Sequence, residues 1–213
     1  AIGFAVGNTS VLFYFHKCGN TNIRTLGDKF KLVESYNHIN IHRHIPAYRL
    51  YNFVCKNKLP KYILVRHPIK RFYSGYAHYW RQYNENYSNL REWISSELDT
   101  TITQYTVDTH VLMFKKVLND MKQHVCVNDG STIDFYIHCI HDMYKDYQSD
   151  MQIVKLDDAN YNKHLWDTEI LVNLKQLHMN KGEQYPEDEL TGANKDFIHR
   201  YYKTSCKTFG YKI

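Results

Sequence analysis

Two short apolar runs, Val11-Leu12-Phe13-Tyr14-Phe15 and Tyr62-Ile63-Leu64-Val65, each stop at a polar turn that leads into a helical pattern. Apolar runs of four or five residues bounded by turn signals read as strands buried on both faces. Met151 to Leu156 reads as a further strand. With helical patterns between them, these runs argue for an α/β fold. The expected arrangement has three layers, with a central, mainly parallel sheet flanked by helices. Ligands of such sheets sit at the carboxyl ends of strands. The residues that follow each run are therefore where chemistry is expected.

The remaining pattern fits one domain spanning residues 1–213, without repeats or a Pro/Gly/Ser-rich linker. Helices are expected over Asn20–Leu32, Ala47–Lys56, Pro68–Tyr83, 90–98, 107–122, Ile133–Tyr147 and Ile170–Leu177, and a last one within Asp188–Thr204. Short extended pieces are expected at Ile39–Ile45 and Val125–Val127, the latter ending in the turn Asn128-Asp129-Gly130. No run of 18 apolar residues exists, so no membrane span is expected. Ala1 to Gly7 is apolar but short and lacks a basic flank, unlike a signal peptide. A net charge of +5 suits an anionic ligand without demanding nucleic acid. Five cysteines, none in a CxxC pair, favour a reducing compartment, cytoplasmic in a bacterial or viral setting, over the Golgi lumen.

After the first run comes His16-Lys17-Cys18-Gly19-Asn20-Thr21-Asn22, a strand–loop–helix turn. Such a turn aims main-chain N–H groups and the positive end of a helix at one point. Lys17 at its mouth completes an anion cradle. Gly19 lets the backbone approach closely, and Thr21 and Asn22 add side-chain hydrogen bonds. After the second run comes Arg66-His67-Pro68-Ile69-Lys70-Arg71-Phe72-Tyr73-Ser74-Gly75-Tyr76. Pro68 suits the first helical turn. Arg66 then stands at a strand end and Ser74 about two turns into the helix. A guanidinium fork and a hydroxyl suit a second phosphate-like group.

The two segments resemble the 5′-phosphosulfate loop and the 3′-phosphate motif of sulfotransferases that use 3′-phosphoadenosine 5′-phosphosulfate (PAPS). The first fits Lys-x-Gly/Ala-x-Thr at Lys17, Gly19 and Thr21. The second fits Arg-x-Pro-x-x-Arg-x-x-Ser-x-Tyr at Arg66, Pro68, Arg71, Ser74 and Tyr76. The likeness continues at Ile153 to Asp158, at His178-Met179-Asn180, and at Phe209-Gly210-Tyr211, the last two being similar to carbohydrate sulfotransferases. Residues 84–150 match poorly. The resemblance implies a P-loop-like sulfotransferase fold, PAPS as co-substrate and PAP as product, no required metal, and a hydroxyl-bearing acceptor, expected to be a glycan. It implies that residues 17–22 (Lys17, Cys18, Gly19, Asn20, Thr21, Asn22) hold the phosphosulfate, and that Arg66 and Ser74 hold the 3′-phosphate. Arg71 is expected to be a structural ion-pair former and Cys18 a spacer.

Sulfuryl transfer also needs a base for the acceptor hydroxyl, and histidine suits neutral pH. His38, His42 and His44 lie together. His44-Ile45-Pro46 stands 22 positions before Arg66, which resembles the base segment of cytosolic sulfotransferases. The His42-x-His44 pair resembles heparan sulfate 2-O-sulfotransferases. His44 is the expected base, and His42 its substitute or a substrate contact. Lys17 is expected to stabilise the departing phosphate.

Other readings are weaker. A P-loop kinase needs lysine after its glycines and a hydroxyl beside it for Mg²⁺, whereas Lys17 precedes Gly19. The histidines at 38–44 lack an evident third metal ligand of fixed geometry. His138 and His141, which would share a helix face beside Cys139, fit ordinary amphipathic packing better than a metal site. Nucleic-acid binding leaves the ordered Arg–Ser pattern unexplained, although Tyr73, Tyr76, Tyr79, Trp80 and Tyr83 recur at helical spacing. About half of those five rings are expected in the core, with the rest available for stacking. A non-catalytic nucleotide- or glycan-binding module is the remaining alternative.

Overall fold

The structure is a computed structural model describing residues 3–6, 9–18, 31–34, 56, 58–85, 87–123, 130–158 and 189–213. The chain divides into two compact units, each built from two stretches. One comprises Ala1–His67 with Met143–Lys181, and the other Pro68–Asp142 with Gly182–Ile213.

The first unit carries a mixed sheet of five strands among the described residues, in the order β3-β1-β2-β4-β5. These are β1 (Gly3–Val6), β2 (Val11–Tyr14), β3 (Lys31–Glu34), β4 (Lys61–Val65) and β5 (Met151–Lys155). Strands β2, β4 and β5 are parallel neighbours. Val11 aligns with Lys61, and Lys61 with Met151. All of Val11–Tyr14 and Tyr62–Val65 are buried. Successive side chains point to opposite faces, so both faces of β2 and β4 are covered, as the unbroken apolar runs required. Each such aliphatic side chain contributes about 2 kcal/mol on burial. Gln152 on β5 is exposed.

The mainly parallel expectation holds for three strands and needs correcting at β1, which pairs antiparallel with both β2 and β3. The helix expected over 20–32 is corrected at its end, because Lys31 and Leu32 belong to β3; its residues 20–30 lie outside the described residues. Four-residue antiparallel strands are specified by their partners more than by their own pattern. That is why the apolar start of the chain did not read as β1.

The second unit contains α1 (Pro68–Asn84), α2 (Ser88–Leu98), α3 (Val107–Lys122), α4 (Gly130–Phe135) and α5 (Gly192–Phe209). Pro68 opens α1, where its missing N–H costs nothing. The Thr106 hydroxyl caps α3 by accepting from Thr109 N at 3.2 Å. One apolar core joins these elements, including Phe72, Tyr76, Val111, Phe114, Phe135, Ile198 and Tyr202. Of the α1 aromatic stripe, Tyr76, Tyr79 and Tyr83 are buried in that core, and Tyr73 and Trp80 pack against it. About half of the stripe is thus in the core, as expected, while Tyr73 and Trp80 keep part of their surface exposed.

The helix expected over 133–147 is also corrected. Helix α4 passes into a π-helical turn, Tyr136–Ile140, where His141 N donates to Tyr136 O at 2.8 Å. The helix then stops without glycine or proline, because side chains take over its last carbonyls. Arg71 donates to His141 O (2.8 Å) and Ile137 O (3.2 Å), Tyr202 to Cys139 O (2.8 Å) and Tyr201 to Ile140 O (2.9 Å). His138 and Cys139 lie in the π turn and His141 beyond it, so the three do not share a helix face. A separate 3₁₀ turn, Met143–Asp146, belongs to the first unit. Among the described residues no helix is long and apolar enough to cross a membrane.

Candidate functional site

Three parallel strands end side by side in the first unit, and charged residues follow or finish each of them. The turn after β2 is closed by Cys18 N donating to Phe15 O at 3.3 Å. Cys18 is fully buried, and its thiol donates to Met143 Sδ at 3.5 Å, which anchors the turn. Lys17, between them, is half-buried and holds φ at 61°. This left-handed conformation costs a residue with a Cβ roughly 1–2 kcal/mol. It persists because neighbouring contacts hold it.

One such contact comes from Arg66, the first residue after β4. Its Nη1 donates to the Lys17 carbonyl at 3.3 Å. The left-handed turn presents that carbonyl to the neighbouring strand end. The guanidinium therefore lies across the end of β2, with further N–H donors to offer. Val65 O accepts from Leu156 N at 2.8 Å, carrying the β4–β5 ladder one residue past β5. His67 N then donates to Asp157 Oδ2 at 3.2 Å. Lys155, in register with Val65, is only 4% exposed.

Chemically, a lysine and an arginine meet at the carboxyl ends of adjacent parallel strands. Such an arrangement suits an anion of the phosphate or sulfate type. The strand-end positions expected for Lys17 and Arg66 are both observed. Cys18 is a buried anchor and acts as more than a spacer. Gly19, Asn20, Thr21, Asn22, His42 and His44 lie outside the described residues. So do His38, His178 and Asn180.

Ser74 stands in the second turn of α1 in the second unit and is half-buried. Arg71, three residues before it, is 1% exposed and committed to the two carbonyls at the end of the π turn. It is structural as expected, but the partners seen are main-chain carbonyls, whereas the expectation was an ion pair. Asp157, Lys155 and the His67 amide were not singled out from sequence as site residues. Their position at the end of a strand was the available signal. Among the described residues no group of three His, Cys, Asp or Glu side chains could hold a metal ion.

Comparison of the chain with protein-family models, with curated proteins and with solved structures finds no match.

Proposed function

We propose that the chain is a PAPS-dependent sulfotransferase, passing a sulfuryl group in line to an acceptor hydroxyl. The observation that best supports this reading is the Arg66–Lys17 contact at the ends of two parallel strands. It joins the Arg66 side chain to the Lys17 main chain, so the two sequence motifs touch although 49 residues separate them. When bound, PAPS supplies an activated sulfuryl group on a phosphate leaving group. Lys17 offers a positive charge where that phosphate gains negative charge, the arrangement that lowers such a barrier most directly. Arg66 offers a planar fork to phosphate oxygens. His44, with His42 as substitute, takes the acceptor proton, and Ser74 donates a hydroxyl hydrogen bond to the 3′-phosphate. The finer fold belongs to the same proposal: a three-layer, P-loop-like sulfotransferase domain.

A glycan acceptor is proposed on narrower ground. Gly210 holds φ at 66° and ends α5, with Gly210 N donating to Lys207 O and Tyr211 N to Cys206 O. This is a helix stop of the Schellman type. The Phe209-Gly210-Tyr211 ending therefore has a local structural cause and carries no information about the acceptor. The glycan preference rests on His178-x-Asn180.

The test is PAP release from PAPS across a panel of glycan and small hydroxyl acceptors. The expected result is acceptor-dependent release, reduced about 10²–10³-fold in Lys17→Ala and about 10²–10⁴-fold in His44→Ala. Release that is absent for every acceptor, or unchanged in both variants, contradicts the reading.

A further inference from the structure

We propose that Asp157 is a positioning residue for the anion site, its carboxylate holding the Arg66-His67 turn so that the Arg66 guanidinium lies across the end of β2. The nature of the anion rests on the sulfotransferase reading; the clamp rests on geometry alone. When β4 ends at Val65, the sheet's last hold on it is Leu156 N donating to Val65 O. The next residues, Arg66 and His67, follow no strand or helix ladder. Pro68 has no N–H to give. The His67 amide is therefore the last main-chain donor before α1, and Asp157 Oδ2 takes it at 3.2 Å.

Asp157 is itself part of a tight turn at the end of β5, in which Asp158 N approaches Lys155 O at 3.5 Å. Arg66 is thus held from two sides. Its backbone is tied toward β5 through His67, and its side chain toward β2 through the Lys17 carbonyl. A long, flexible side chain that must meet an anion gains most from such pre-organisation. A carboxylate would repel that anion directly, so Asp157 acts through Arg66 and not by contact.

The test compares Asp157→Ala with Asp157→Asn in the full chain, since asparagine keeps a carbonyl oxygen that can accept from His67 N. Hydrogen exchange at the His67 amide is read without ligand, PAP affinity by calorimetry, and KM and kcat with PAPS. In Asp157→Ala, His67 should exchange about tenfold faster. PAP affinity should fall and KM for PAPS rise by about tenfold, with kcat within about twofold and the melting temperature within about 2 °C. Asp157→Asn should restore exchange and affinity to within about threefold of wild type. Unchanged exchange in Asp157→Ala overturns the proposal. So does a loss in kcat alone, or an asparagine variant as impaired as alanine. If the wild-type chain binds no PAP, the sulfotransferase reading falls. The clamp is then decided by exchange alone: faster in Asp157→Ala upholds it, and equal rates overturn it.

Discussion

Arg66 crosses from the end of β4 to donate to the main-chain carbonyl of Lys17, 3.3 Å away at the end of β2. The bond depends on the backbone of Lys17, which at φ 61° is turned into the left-handed region. Conformation and charge therefore sit in one residue, and substitution can separate them.

Lys17→Gly keeps the carbonyl, relieves the left-handed strain and removes the ammonium. The variant should be between about 0 and 1 kcal/mol more stable than wild type, the relief being partly offset by the freer unfolded chain. Its turnover with PAPS should fall about 10²–10³-fold, as in Lys17→Ala. Urea unfolding and PAP release measure the two effects. Full turnover in Lys17→Gly would remove Lys17 from the chemistry.

The two arginines of the second motif should behave oppositely. Arg71 is buried and holds carbonyls of the π turn. Arg71→Met should destabilise by about 3 kcal/mol, because it strips those carbonyls of a charged donor. Its affinity for PAP per folded molecule should be unchanged. Arg66 is partly exposed, and Arg66→Ala should cost no more than about 0.5 kcal/mol in stability, while PAP affinity falls about 10²-fold. Urea unfolding and calorimetry separate the two patterns, and a shared pattern would contradict these roles.

His110 should make stability depend on pH. It is fully buried among the rings of Phe72, Tyr76, Tyr79, Tyr105 and Phe135. Its Nδ1 shares a 2.6 Å hydrogen bond with the Tyr105 hydroxyl, and Nε2 has no hydrogen-bond partner among the described residues. Burial lowers its pKa from 6.5 to about 3. Above about pH 6.5 the ring is neutral folded or unfolded, and its contribution is fully present. As pH falls below that value only the unfolded chain takes up the proton. Stability then drops by roughly 1.4 kcal/mol per pH unit until about pH 3. Urea unfolding from pH 7.5 to 5 should show a shallower slope for the double variant Tyr105→Phe/His110→Phe. An identical slope would mean that His110 is not excluded from water.

Gly75 on α1 faces Cys139, whose Sγ would lie 3.0 Å from an added Cβ. Gly75→Ala should destabilise by about 1–2 kcal/mol through overpacking, despite better helix propensity. In a Cys139→Ala background the same change should be neutral or stabilising. Additive effects in that double-mutant cycle would show that the sulfur does not enforce the glycine.

Helix α3 was legible from sequence with its observed bounds. Val107, Val111, Phe114 and Val117 mark one face, and Thr106 supplies the cap. The break after Ile140 was not legible. The donors that end that helix, Arg71, Tyr201 and Tyr202, lie 61–70 residues away in sequence. Strands β1 and β3 were missed because four residues carry little periodicity; β3 is defined by its pairing with β1, and β1 by its pairing with β2 and β3.

At the candidate site, Lys17 and Arg66 were legible from residue type and position after apolar runs. The left-handed turn at Lys17 was not, since lysine does not favour it. Asp157 lies 90 residues from the His67 amide, and only the folded sheet brings them together. The expected base, His44, lies outside the described residues, so its role awaits the turnover test.

The most direct measurement is the melting shift with PAP, ADP and Mg-ATP, in wild type and in Arg66→Ala. A ligand at about 100 times its dissociation constant stabilises by roughly 2.7 kcal/mol, which is readily seen. A site for 3′-phosphorylated adenosine should give a shift with PAP, little with ADP or Mg-ATP, and loss of the PAP shift in Arg66→Ala. A shift with Mg-ATP and none with PAP would contradict the sulfotransferase reading and favour a kinase. Silence from all three nucleotides would also contradict it.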